Sequence, residues 1–208
     1  MTKGRMEAFS DGVIAILITI MVLELRPPEG TDLAALRPVV PRLITYVLSF
    51  VNLGIYWNNH HHMLHAAEHV NGRVLWANMH LLFWLSLFPF ATAWMGENHF
   101  HSTPVALYGV VLLAAAIAYM VLQSSIIAVD GHQAKLATAV GRDLKGKLSP
   151  AAYAAGIGLA FVDRRIALAL YVLVTVIWLV PDKRIEARLM ADENARHEAE
   201  AARRARRR

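Results

Sequence analysis

Residues 9–25 read Phe-Ser-Asp-Gly-Val-Ile-Ala-Ile-Leu-Ile-Thr-Ile-Met-Val-Leu-Glu-Leu, an apolar run with one acid near each end, Asp11 and Glu24. At about 1.5 Å of rise per residue a helix over this stretch covers roughly 25 Å, the thin end of what a bilayer accepts. An ionised carboxylate at the threshold of such a segment is costly unless something holds it. Arg5, Ser10 and Asp11 therefore read as one polar assembly set against the first membrane span.

Five further apolar blocks follow, near 42–59, 74–95, 104–128, 149–162 and 166–180, each ended by polar or charged residues or a proline. With 56% hydrophobic and 18% charged residues, the expected fold class is all-α, a polytopic membrane protein of six helices. Residues 149–162 and 166–180 are short for full spans and can alternatively form a re-entrant pair around Asp163-Arg164-Arg165. The expected organisation is a membrane domain over 1–181 and a charged cytoplasmic tail over 182–208. The first span is not a cleavable signal, because Asp11 and Glu24 bound it and no small-residue cleavage site follows. The absence of cysteine excludes disulfides and thiolate metal sites.

Lys and Arg set the orientation. With both termini cytoplasmic, the inner segments hold Lys3, Arg5, Arg73, Lys135, Arg142, Lys145, Lys147 and nine residues of the tail; the outer ones hold Arg26, Arg37, Arg42, Arg164 and Arg165. This excess predicts a multi-pass protein of the cell (inner) membrane with both ends inside. The net charge of +5 is accordingly a topology signal and no mark of nucleic-acid binding. The tail alternates acids and bases, then ends Arg203-Arg204-Ala205-Arg206-Arg207-Arg208. Such a segment is either a solvated helix whose basic end meets anionic lipid heads or a regulatory, partner-binding element.

At about 100° per residue, Gly12, Ile16, Thr19, Ile20 and Leu23 share one side of the first helix, while Asp11 lies some 140° from Ile16. The stripe is either lipid-facing or packed surface, with Thr19 bonded back to the carbonyl of Ala15, or the lining of a pore formed by several copies. In a pore, apolar rings resist wetting and a ring of hydroxyls replaces part of an ion's lost water.

The order Arg5-x-x-x-Phe9-Ser10-Asp11-Gly12-Val13-x-Ala15-Ile16, followed by Thr19, resembles the signature of the transmembrane-protein-175 family of bacterial and lysosomal potassium channels. Trp57-x-x-His60-His61 and Asn78-x-x-Leu81-Leu82-Phe83-x-x-Ser86-Leu87-Phe88-Pro89-Phe90 are similar to its later segments. The resemblance implies a homotetramer in the lipid bilayer with the first helix of each subunit lining the pore. It implies a constriction at Ile16, hydroxyl and apolar layers at Thr19, Ile20 and Leu23, potassium as the permeant ion, and no cofactor. It also implies that residues of the third span tie down Ser10 and Asp11, and Asn78 and His80 are assigned to that shell, with Arg5 holding Asp11. No Thr-Val-Gly-Tyr-Gly loop is present, so potassium preference should be modest.

The histidines offer an alternative. His61, His65 and His69 are spaced i, i+4 and i+8, which on one helix face can bind a metal and would suit a metal-dependent membrane enzyme. They equally suit capping of the inner end of the second span, where titration near neutral pH would modulate gating. A third reading is a small transporter whose Arg5–Asp11 pair carries a proton. No Gly-rich phosphate loop and no Ser/His/Asp set in a believable pocket occurs, so enzyme chemistry is not expected. Glu24 would form a carboxylate ring at the outer mouth or pair with Arg26. The tryptophans read as interfacial anchors, Pro89 as a kink, and the Ala- and Gly-rich stretch 151–160 as a closely packed fifth helix.

Overall fold

The computed structural model describes residues 2–131, 136–137 and 144–179; the charged tail expected over 182–208 lies outside them. Its helices are α1 (Lys3–Ile20), α2 (Val40–Ala66), α3 (Gly72–Ser86), α4 (Phe88–Glu97), α5 (Ser102–Asp130), α6 (Leu144–Leu159) and α7 (Arg164–Leu179), with 3-10 turns at Met21–Glu24 and Leu33–Val39. Among the described residues there is no strand. Among the described residues four stretches are long and apolar enough to cross a bilayer: Lys3–Glu24, Leu33–Ala66, Gly72–Glu97 and Ser102–Asp130. The chain is thus an all-α, polytopic membrane protein.

The helix ends follow local chemistry. Asn71 caps α3, its side-chain oxygen accepting from the Val74 amide at 3.1 Å, which satisfies one of the orphan donors of a first turn. Pro89 has no N–H to give and crowds the preceding turn. The third apolar block therefore breaks at Leu87 into α3 and α4, with the proline in the first turn of α4. Helix α4 closes with the Phe100 amide on the Met95 carbonyl and the His99 amide on that of Gly96, the double bond pattern of a Schellman ending. His99 and Phe100 take φ of 48° and 58°, a left-handed backbone that side-chain-bearing residues hold only at a cost of about 1–2 kcal/mol each.

The second helix runs past the expected limit at 59 to Ala66, so His60 to His65 are helical. Its C-terminal end is fastened to the start of α1, where Lys3 Nζ donates to the carbonyls of His65 (3.0 Å) and Ala67 (2.9 Å). An ammonium on exposed C-terminal carbonyls complements the helix dipole. Helices α6 and α7 form a tight hairpin, with Asp163 accepting from the Arg165 amide at 2.8 Å at its turn. At 16 residues each they fall short of the four long stretches above, as the sequence suggests, and they pack on α5.

The small residues expected to allow close packing of the fifth apolar segment do so around one ring. A Cβ on Gly156 or on Gly109 would collide with Tyr171. The Tyr171 hydroxyl is buried without a hydrogen-bond partner among the described residues. Gly156→Ala is therefore expected to destabilise by about 1–3 kcal/mol through overpacking. Tyr171→Phe removes an unsatisfied polar atom and should leave stability equal or higher. Thermal unfolding in detergent checks both, and a large loss in Tyr171→Phe would show that the hydroxyl has a partner.

Candidate functional site, the signature cluster and the uncovered face of α1

Helix α1 buries Met6, Ser10, Ile14 and Leu17, and Met21 of the following turn continues the same side. Steps of three and four residues keep them on one face. Ser10 is fully buried. Its hydroxyl donates to the Met6 carbonyl at 2.8 Å, so its oxygen must accept what comes from the other side. That donor is Asn78 Nδ2 of α3, at 2.9 Å. The amide orientation is thereby set, and Asn78 Oδ1 is left to accept from His60 Nε2 of α2 at 2.8 Å. His60 carries its proton on Nε2, and its Nδ1 is buried with no partner among the described residues. One chain of hydrogen bonds thus ties α1 to α3 and α3 to α2.

Asp11, half-buried, takes a different neighbour: Trp57 Nε1 donates to its Oδ1 at 3.1 Å. Trp57 is therefore more than an interfacial anchor. Arg5 does not hold Asp11; it is exposed, and among the described residues the two form no ion pair. Six residues of helix place them some 120° apart. The proton-carrying pair required of a transporter is absent from this chain's own contacts. His80 likewise lies outside the cluster. It is exposed and accepts from Trp84 Nε1 at 2.9 Å, since residues two apart on a helix differ by about 200° and Asn78 already faces inward. The residue missed was His60. A signal was available, because His60, Met63 and Leu64 are buried on one face at i, i+3 and i+4.

The metal-binding spacing is not realised. His61 and His65 stack with ring centroids 6.3 Å apart, but α2 ends at Ala66 and His69 lies beyond it. There the His69 amide and Nδ1 engage Asp130 at 2.9 and 3.2 Å. Among the described residues no group of three or more His, Asp or Glu side chains gathers to hold a metal.

The opposite face of α1 has nothing over it among the described residues. Ile16 is 61% exposed, Ile20 44% and Leu23 74%, and Gly12 and Thr19 are exposed with them. Thr19 Oγ1 donates back to the carbonyls of Ala15 and Ile16, both at 3.0 Å. With its proton turned into the helix, the hydroxyl presents lone pairs outward. Glu24 ends this face exposed and without an ion pair among the described residues, while the side chain of Arg26 lines a separate pocket.

Fold and site together define a helical membrane protein whose first helix is locked on one side and bare on the other. The family model for the endosomal/lysosomal potassium channel TMEM175 matches residues 5–89. A potassium channel of Chryseobacterium sp. (strain P1-3) is 54% identical over 91% of this chain and 98% of its own length. One from Streptomyces collinus is 31% identical over 80% of this chain and 86% of its own. The crystal structure of a lysosomal potassium-selective channel TMEM175 homolog from Chamaesiphon minutus superposes with a TM-score of 0.73 at 26% identity, covering 86% of this chain and 96% of that one. The chain belongs to the TMEM175 family, and is an ion channel of that family rather than an enzyme.

Because the Ser10–Asn78–His60 bonds form one network, Ser10→Ala and Asn78→Ala should each destabilise by about 1–3 kcal/mol. The double variant should lose less than the sum, by about 0.5–3 kcal/mol. Strict additivity in a double-mutant cycle would mean the two side chains act independently.

Proposed function

We propose that four copies of this chain assemble around a common axis with α1 innermost, and that the assembly conducts potassium across the cell membrane with both termini cytoplasmic. The carrying observation is the 61% exposure of Ile16 on a helix whose other side is fixed by buried polar bonds. Four Ile16 side chains around an axis make a narrow apolar ring, which gates by shedding water. Thr19, less than one turn further along, supplies a layer of hydroxyl lone pairs to a partly dehydrated cation, with Ile20 and Leu23 as further apolar layers. The relatives from Chryseobacterium and Streptomyces are named potassium channels, which supports potassium as the ion. With side-chain hydroxyls in place of a carbonyl filter, the preference over sodium is modest. The excess of Lys and Arg in the segments read as inner supports the orientation.

Purified protein in planar bilayers or liposomes tests this. Ile16→Asn should raise basal potassium flux by removing the dewetting barrier, and Thr19→Ala should shift the reversal potential under potassium/sodium gradients toward equal permeability. No potassium flux in the wild type, or an Ile16→Asn variant indistinguishable from it, would contradict the assignment.

A further inference from the structure

Residues 26–29, which follow the first span, and the 3-10 turn Leu33–Val39 meet the start of α2 and the end of α4 around a cavity of about 440 Å³. That volume lies in the range of small-ligand sites. Arg26, Glu29, Arg42, Glu97 and His99 line it, with Pro28 among the wall residues. Gly96 shapes its base: a Cβ there would come within 2.6 Å of Thr45 Oγ1 and 3.0 Å of the Arg42 backbone, so the two helices meet without a gap beneath the charged groups. The left-handed turn at His99 also lines it, with an imidazole at a position that ordinarily takes glycine.

The charges are not neutralised in place. Arg42 and Glu97 approach only to 3.8 Å, with both side chains partly exposed, and such a pair contributes little. Arg26 and Glu29 make no ion pair among the described residues. The cavity therefore presents two guanidinium groups and two carboxylates, all with unused hydrogen-bonding capacity, beside an apolar proline wall. Its depth is informative too. It sits at the start of α2 and the end of α4, and on α4, two residues before Gly96, Trp94 stacks on the exposed Phe90 at 6.2 Å, an aromatic pair suited to the membrane–water boundary.

We propose that this cavity binds a zwitterion carrying a phosphate and a primary ammonium, the phosphoethanolamine group, as a lipid headgroup or free in solution. Guanidinium groups pair with phosphate oxygens, and Glu29 and Glu97 accept from the ammonium. A quaternary ammonium has no N–H to give, and a glycerol headgroup has no cation, so neither satisfies both halves of the site. Because residues 26–29 directly continue the 3-10 turn that ends the first span, occupancy bears on the end of that helix.

The test uses the full-length protein in detergent, with retention of added lipids followed by native mass spectrometry. Phosphatidylethanolamine should be retained over phosphatidylcholine and phosphatidylglycerol of the same acyl chains. Glu29→Gln should reduce that preference by about tenfold, the loss of one charged hydrogen bond to the ammonium, while Arg26→Gln, which removes a partner of the phosphate common to all three, should lower retention of all of them. Arg37→Gln, an exposed charge that does not line the cavity, should leave both unchanged. Displacement of the lipid by soluble phosphoethanolamine would support a site that also takes the free zwitterion; a preference that resists it would support the membrane as the source. Equal retention of all three lipids by the wild type would overturn the proposal. So would a preference that survives Glu29→Gln, retention that is unchanged in Arg26→Gln, or equal losses in Arg37→Gln.

Discussion

The hydrogen bond from Asn78 to Ser10, 2.9 Å long and wholly buried, decides which way α1 faces. Hydrophobicity alone cannot do so. Ile14 and Leu17 point into the bundle, whereas Ile16 and Ile20 point away, and in a bilayer lipid is as apolar as a protein interior, so exchanging one such face for the other is nearly neutral. A serine hydroxyl in the same place is not neutral. Turned out of the bundle it leaves the Asn78 amide buried without an acceptor, at about 1–3 kcal/mol. Ile16 lies six residues from Ser10, some 120° from it in the direction away from the bundle, so fixing the serine inward presents Ile16 and Thr19 outward.

That rotational lock is reinforced along the helix. At the start of α1, Lys3 spans to the last carbonyls of α2. The segment those carbonyls lead into is clamped from α5, where the side chain of Asp130, with no exposure, accepts from the amides of Glu68 and His69 at 2.9 Å. Immediately after Ser10, Asp11 is bonded to Trp57 of α2. Attachments at Lys3, Ser10 and Asp11 leave α1 little freedom to rotate as a rigid rod. Movement of the bare face then requires the end beyond Leu17 to bend, or neighbouring helices to travel with it, and the 3-10 winding at Met21–Glu24 is a natural place for the axis to change.

Much of this was legible in the residues. The apolar blocks, the break at Pro89, the tight packing of residues 151–160 and the separation of Ser10 from Ile16 follow from periodicity and from the special chemistry of proline and glycine. Asn78 was also legible, as an amide inside an apolar run that needs a partner. His80 shares the membrane depth of Asn78 but not its angular position, because two residues along a helix reverse the direction of a side chain. The metal-like row of its neighbours masks His60, whose own spacing to Met63 and Leu64 marks the buried face. The end of α2 at Ala66, which takes His69 off that row, depends on Asp130, a residue some sixty positions away, and no local pattern announces it. Arg5 failed as the partner of Asp11 for the same angular reason as His80.

The chain has no cysteine, which allows a direct test of the central claim that copies of α1 meet through their bare faces. In Ile16→Cys the introduced thiol is the only one present. If four α1 helices surround an axis, mild oxidation in membranes should link subunits into disulfide-bonded dimers, and cadmium should block ion flux reversibly. If instead position 16 faces lipid, the thiol will react with membrane-partitioning maleimides while subunits stay uncrosslinked and flux is unaffected by cadmium, and the account of α1 as a pore lining is contradicted.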